Sequence, residues 1–388
     1  MSYRMWRRGI GKAGAFLLSL TLALTGCGGQ ERAETSAVQT DPASENGASD
    51  AEEASHAETS APLEESDVRD GTSADTLATP SDFPERYNYG SGRYTGWDSG
   101  IANSRLPEPE DGETVLHAAL DLTKIQALYL WEEGNFPAQT EVTRDGFDPA
   151  DFRPYLTAIP VREGTEVKGA VVLLAGGAFQ VRANYTDTLP TAAHLRELGF
   201  QTFIVDYRLR PYTQKEGALD VARAVRFIRQ NADAYGIDPD DIAVMGYSAG
   251  GIQAGEFFLH YDEDVQPTAL DPGYLPDELD TVSAHASAAG MIYSFYGRLS
   301  VASMDVEGLK AGELPPTFYC YGTEDPFYSQ FEAQYALMQD VGISTRRIVL
   351  QDWPHGFGGD GGWVEDYAQW LEEVFAQNER ESLCRTRF

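Results

Sequence analysis

The sequence predicts an α/β protein: a mostly parallel central sheet with helices on both faces, preceded by a disordered tether. Three observations predict it. Apolar runs of strand length, bounded by turn residues, recur from residue 170 onward. Helical patterns lie between most of them, and that alternation implies a parallel sheet wrapped on both sides. Ahead of these runs, between Gly28 and Pro80, 13 acids face two arginines with hardly an aromatic residue, a composition that cannot bury enough to fold.

In chain order, Arg4, Arg7, Arg8 and Lys12 precede an apolar stretch, Ala13 to Leu24, too short to span a bilayer comfortably and typical of an export signal. Arg7-Arg8 hints at twin-arginine export. The acidic stretch follows as a tether. Near Ala119 the folded domain is expected to begin, after a Gly- and aromatic-rich approach. In "KIQALYLWEEGNFP" the alternation of Ile125, Ala127, Tyr129 and Trp131 predicts a half-buried strand. Strands are then expected at 170–175, 202–208, 241–247, 285–293, 316–322 and 345–351. The clearest helix is "EGALDVARAVRFIRQNADAYG", where Leu219, Ala222, Val225, Ile228 and Ala232 fall at three- and four-residue steps and Gly236 stops it. The expected boundaries are a signal over 1–26, a linker over 27–82, an approach segment over 83–118, the folded domain over 119–380 and a tail over 381–388.

The three cysteines, Cys27, Cys320 and Cys384, form no disulfide framework and no metal-ligand spacing with histidine. A net charge of -32 argues against nucleic acid and polyanionic partners.

Gly246-Tyr247-Ser248-Ala249-Gly250 begins where one predicted strand ends and a helical pattern, "GGIQAGEFFLH", begins. A serine in a tight strand-to-helix turn has an exposed hydroxyl, and the positions two before and two after it must be tiny. Short motifs also arise by chance, so its partners decide. Of the histidines after it, His260 ends the helical pattern and His285 starts a strand, whereas His355 sits on the Pro- and Gly-flanked loop "QDWPHGFGG" after the last strand. For the acid, Asp325 in "YGTEDPFYS" is preferred over Glu324 and Asp352, because a residue before proline is held extended. A helix cap is its simpler reading.

These residues, together with "LLAGGAF", "VDYRL", "GTEDP" and "PHGF" in order, resemble the α/β-hydrolase superfamily. Within it the likeness is to hormone-sensitive-lipase-like and acetylxylan or feruloyl esterase-like bacterial enzymes, over about Ala119 to Ala376. The resemblance implies a serine esterase that needs no cofactor or metal, with Ser248, Asp325 and His355 as its triad. It also implies that the stretch Ala175-Gly176-Gly177-Ala178 supplies oxyanion-hole amides from Gly177 and Ala178, joined by Ala249. Ala175 stands where relatives carry a His or Pro that braces this loop, so something else must hold it. A left-handed backbone would strain Ala178, so unusual dihedrals are expected at Gly176 and Gly177, and a positive φ at Ala178 would count against its amide. Leu24-Thr25-Gly26-Cys27 resembles a bacterial lipobox, implying lipid attachment at Cys27, export, and anchoring to the outer face of the cell membrane.

The expected substrates are carbohydrate or other small esters, with deacetylation the first expectation. The aromatics Phe179, Tyr185, Tyr247 and Phe357 could line a pocket, although core is the simpler role. Two rivals remain: a prolyl-oligopeptidase-like serine peptidase, which usually carries a β-propeller for which there is no room before Ala119, and an inactive hydrolase-shaped binding protein.

Overall fold

The computed structural model describes residues 106–385, apart from 142–145, 150 and 262–264, together with two short paired strands at Tyr87–Asn88 and Arg93–Tyr94. The expected signal, the whole linker with Cys27 and part of the approach segment lie outside the described residues, as does the Cys384 side chain.

Eight strands form the central sheet. They are β1 (Gln126–Tyr129), β2 (Tyr155–Ile159), β3 (Gly169–Leu174), β4 (Phe200–Asp206), β5 (Ile242–Tyr247), β6 (Ala288–Ile292), β7 (Thr317–Gly322) and β8 (Thr345–Leu350). Their spatial order is β1-β2-β4-β3-β5-β6-β7-β8. From β4 to β8 every pairing is parallel, while β2 runs antiparallel to both neighbours. Parallel strands covered on both faces should be apolar throughout. β3 and β5 are buried at every position.

The connections carry α1 (Thr188–Glu197), α2 (Gln214–Gln230), α3 (Ala249–His260), α4 (Tyr328–Asp340) and, between β6 and β7, the short helix Val306–Ala311; α5 (Trp363–Arg385) follows the last strand. The start of α2 is fixed by a capping box between Thr213 and Glu216. One further helical turn follows it and ends at Gly236, left-handed with φ of 69°, where a C-cap favours glycine.

Two local expectations are corrected. Strand β2 went unread, because its five residues are bounded by Pro154 and Pro160 and carry no clean period. In β1 burial does not follow the alternation of Ile125, Ala127, Tyr129 and Trp131: Leu128 and Leu130 are fully buried, while Ile125 and Tyr129 are only half-buried. The Arg153 guanidinium lies 3.9 Å from the Tyr129 ring centroid, and β1 is an edge strand whose two faces are both covered in places.

Because β3 through β8 are parallel, their carboxyl ends share one edge. There the loops after β3, β5, β7 and β8 converge.

Candidate active site

Ser248 occupies the turn between β5 and α3 with φ of 47° and ψ of −117°, a conformation that costs a non-glycine residue on the order of 1–3 kcal/mol. The surroundings hold it there. Its N–H donates to the Ile292 carbonyl at the end of β6 (3.0 Å), and its carbonyl accepts from Ile252 N (3.1 Å) and Ser294 Oγ (2.6 Å). A Cβ at Gly246 would lie 2.2 Å from the Gly250 carbonyl, and one at Gly250 would lie 2.1 Å from Leu174 O. Only glycine allows strand and helix to approach so closely.

His355, on the loop after β8, places Nε2 2.8 Å from Ser248 Oγ and Nδ1 2.6 Å from Asp325 Oδ2. An aspartate carboxylate only accepts, so Nδ1 donates to it and Nε2 is left to accept the serine hydroxyl. The Asp325 side chain is fully buried and that of His355 is 28% exposed. Asp325 also accepts from Phe327 N through its other oxygen, at 2.8 Å. Asp325 is therefore not the cap of α4, whose N-cap is Phe327; its carboxylate accepts the Phe327 amide in a turn ahead of the helix, and that contact orients it toward His355. Glu324 is exposed, and the Asp352 carboxylate accepts from Gln351 Nε2 (2.6 Å) while its N–H donates to Thr323 Oγ1 (2.8 Å). Neither meets His355. His260 is exposed at the end of α3, and His285 lies before β6, at the opposite edge of the sheet from Ser248.

The loop after β3 departs from expectation. Gly177 has φ of 126°, but Gly176 is not left-handed, and Ala178 and Phe179 are, with φ of 55° and 56°. They are the two central residues of a turn closed by the Gln180 N–H donating to Gly177 O (2.9 Å), and turns of this mirrored hand require positive φ at both. Arg210 locks it, its Nη2 donating to Ala178 O (2.5 Å) and its backbone N–H to Phe179 O (3.1 Å). Gly176 is glycine for a different reason: a Cβ there would lie 3.0 Å from Asp187 Oδ2 and 3.1 Å from Ser248 Cβ. The expected unstrained backbone at Ala178 is corrected by its φ of 55°, which counts against the amide that the resemblance implied there. Gly177 N and Ala249 N donate to no acceptor among the described residues, and neither does Ala178 N. Ala249 N lies at the positive end of α3.

What braces the loop in place of a ring at position 175 is also visible. The Tyr207 hydroxyl donates to Ala175 O (2.7 Å), and Gly176 N donates to Asp187 Oδ2 (2.9 Å). Asp187, fully enclosed, accepts in addition from Tyr293 Oη (2.9 Å) and Thr186 Oγ1 (3.1 Å). Burial pushes its carboxyl upward against the pull of these donors. The Tyr293 hydroxyl in turn accepts from Gly358 N (3.2 Å), and its ring meets the His355 ring edge-on at 4.9 Å. One carboxylate and one phenol thus join the loop after β3 to the loop that carries His355. The sequence offered little sign of them beyond a polar residue just before α1 and a tyrosine ending a strand.

Of the aromatics considered for a pocket, Tyr247 and Phe357 are core and Tyr185 is exposed. Phe179 is nearly buried but lines a cavity beside the turn.

By fold the chain is an α/β hydrolase. The solved structure of an acetyl ester-xyloside bifunctional hydrolase from Caldicellulosiruptor lactoaceticus superposes with a TM-score of 0.50 at 22% identity, covering 66% of this chain and 96% of that one. Residues 158–266 match the family model described as BD-FAE. In sequence the chain is similar to an acetylxylan esterase of Xylanibacter ruminicola, 23% identical over 227 residues, covering 54% of this chain and 46% of the relative. It is also similar to the esterase LipQ of Mycobacterium tuberculosis, 28% identical over 205 residues and covering 45% and 47% respectively. It therefore spans about half the length of the curated relatives it matches.

Proposed function

We propose that the protein is a serine carboxylic-ester hydrolase that deacylates small or carbohydrate esters, acetyl esters among them. One observation carries this reading: the hydrogen-bonded line Ser248–His355–Asp325 beside two amides, of Gly177 and Ala249, without an acceptor. Ser248 Oγ attacks the ester carbonyl as its proton passes to His355 Nε2, while Asp325 stabilises the imidazolium without taking a proton. The oxyanion accepts from Gly177 N and Ala249 N, each such donor contributing about 3–4 kcal/mol in acyl transfer. Collapse of the tetrahedral species expels the alcohol with the proton from His355. Water then attacks the acyl–Ser248 ester by the same route, releasing acid. The acetyl preference draws on the likeness to the acetylxylan esterase. The proposal extends to a catalytic domain over about 119–380, exported and held at the outer face of a bacterial membrane through a lipidated Cys27. Loss of palmitate incorporation in Cys27→Ala tests the anchor.

The test of the reaction is hydrolysis of 4-nitrophenyl acetate by the full chain and by Ser248→Ala. The wild type turns over, and the variant falls by about 10⁶-fold in kcat. Absent wild-type turnover, or equal turnover in both, overturns the reading.

A further inference from the structure

We infer that the cleft beside the oxyanion turn binds a free carboxylate, so that the preferred ester carries a negative charge on its acyl or alcohol part. This rests on the esterase reading above and goes beyond it in naming the substrate class. The cleft, about 390 Å³, is lined by Phe179, Tyr212, Leu299 and Gln214 together with two arginines, Arg210 and Arg298. Elsewhere arginines of this chain meet carboxylates directly, as in Arg182–Asp148 at 2.7 Å and Arg208–Asp220 at 2.9 Å. Arg210 and Arg298 do not meet a carboxylate among the described residues, and Arg210 Nε is buried with no hydrogen-bond partner there. Both guanidinium-bearing residues line one cavity, Arg298 on its exposed side, and neither has a counter-charge among the described residues.

The cleft is fixed rather than accidental. Arg298 belongs to a two-stranded turn, Gly297–Arg298 paired with Val301–Ala302, which is tied down at both ends. Gln214 Nε2 donates to Gly297 O (3.2 Å), and Ala302 N donates to Gln330 Oε1 (2.8 Å). On its far side Arg298 borders a second cavity that holds Glu256 and His260. Glu256 makes no ion pair with it, and burial raises that carboxyl. A guanidinium offers paired donors that match a carboxylate, and two of them around one small cavity favour an anion of that shape. The walls of Phe179, Tyr212 and Leu299 suit a short hydrocarbon chain or the apolar face of a sugar ring.

Placement relative to the reacting centre follows from Arg210. The same side chain that faces the cleft grips Ala178 O, and Phe179 is both cleft wall and turn residue. The cleft thus shares a wall with the turn that follows Gly177 in the chain, and this shared turn is what links a carboxylate bound by the arginines to the reacting centre. Two sources share this chemistry: a dicarboxylic acid hemiester, charged on its acyl part, and an O-acetylated uronic acid, charged on its alcohol part.

Matched pairs test the idea. Mono-4-nitrophenyl glutarate is compared with its neutral methyl ester, and an acetylated methyl glucuronide with the corresponding acetylated glucoside. At least one anionic member should exceed its neutral twin by about tenfold in kcat/KM, mostly through KM, as expected for a charge-assisted contact. Arg298→Gln should bring the ratio close to one, and 1 M NaCl should shrink it. A ratio at or below one for both pairs, or one unmoved by Arg298→Gln, overturns the proposal. Calorimetric binding of glucuronate and of glutarate to Ser248→Ala, with and without Arg298→Gln, reads the cleft apart from the chemistry. Binding that depends on Arg298 in a protein that hydrolyses no ester would sink the esterase reading and leave the cleft standing. Neither anion binding sinks the cleft.

Discussion

Two buried clusters of charge, one around α2 and one at the strand-end edge, are built differently. Where α2 packs, Arg208 meets Asp220 through Nε and Nη2, both at 2.9 Å, and Trp131 Nε1 donates to the same carboxylate at 2.7 Å. One turn on, Arg223 meets Asp277 (2.5 Å) and both Arg223 and Arg226 approach Asp280. Asp220, Asp277 and Asp280 each face a cation, whereas Glu216 on the same helix, also buried, is held by the amides of Gln139, Thr140 and Thr213 and by the Thr140 and Thr213 hydroxyls. At the strand-end edge Asp187 is just as enclosed, but an amide and two hydroxyls hold it and no cation does so among the described residues. The backbone differs as well. Ala178, Phe179, Ser248 and Tyr293 all have positive φ at that edge, where strained residues persist only if their surroundings over-determine them. Dipole-held carboxylates thus occur in both places; ion pairs make the frame around α2, and strained turns aim groups at one point along the strand-end edge. The difference separates scaffold from site.

The largest expected effect lies at the site. Asp325→Asn leaves packing nearly intact but removes the acceptor that fixes the His355 tautomer, so kcat should fall by about 10⁴-fold. Glu324→Gln, one residue away and exposed, should leave kcat within about twofold, the scale of an ordinary surface change. The reverse pattern would reassign the acid and detach the strained edge from catalysis.

The second prediction compares the clusters by stability. Arg208→Met strands the Asp220 carboxylate without its cation, and breaking a fully buried pair costs about 3–5 kcal/mol. Asp187→Asn removes no cation's partner and keeps one carbonyl acceptor for Gly176 N or Tyr293, so a cost of about 1 kcal/mol is expected. Urea unfolding of both variants measures the gap. Equal losses would mean that the two clusters stabilise the fold in the same way.

How far each cluster could be read from the sequence follows from the same physics. The parallel sheet, α2 and the Ser248 turn are written in local signals: apolar runs, three- and four-residue steps, and glycines where a Cβ would collide. His355 and Asp325 could be placed because each follows a strand whose carboxyl end must reach the same edge. Asp187, Tyr293 and Tyr207 could not, because their partners lie 11, 106 and 32 residues away in the chain and no short pattern marks such a contact. The dihedrals at Ala178 and Phe179 were misjudged for a related reason. Intrinsic cost pointed to the glycines, but the tertiary grip of Arg210 on two carbonyls decided where the turn bends. β2 was missed because its place in the sheet comes from pairing with β1 and β4, not from its own five residues.

The smallest expected effect tests whether an enclosed carboxylate without a cation always weakens the fold as it ionises. Asp241, just before β5, is 8% exposed and has neither a cation nor a hydrogen-bond donor at its side chain among the described residues. Burial, with Asp238, Glu379 and Asp240 nearby, pushes its carboxyl from 3.8 up to about 7. Between those values the folded chain holds a proton that the unfolded chain has released. Stability should therefore fall as pH rises from about 4 to about 7 and then level off. Asp241→Asn removes that slope, so the variant should gain on the wild type with rising pH. Because Asp241 sits at the rim of an open, solvent-reached cavity, the gain should be limited to about 1 kcal/mol. Urea midpoints at pH 4.5 and pH 8 read it directly, and a variant that loses ground at pH 8 would show that Asp241 has a favourable partner when charged, placing it with the neutralised cluster rather than with Asp187.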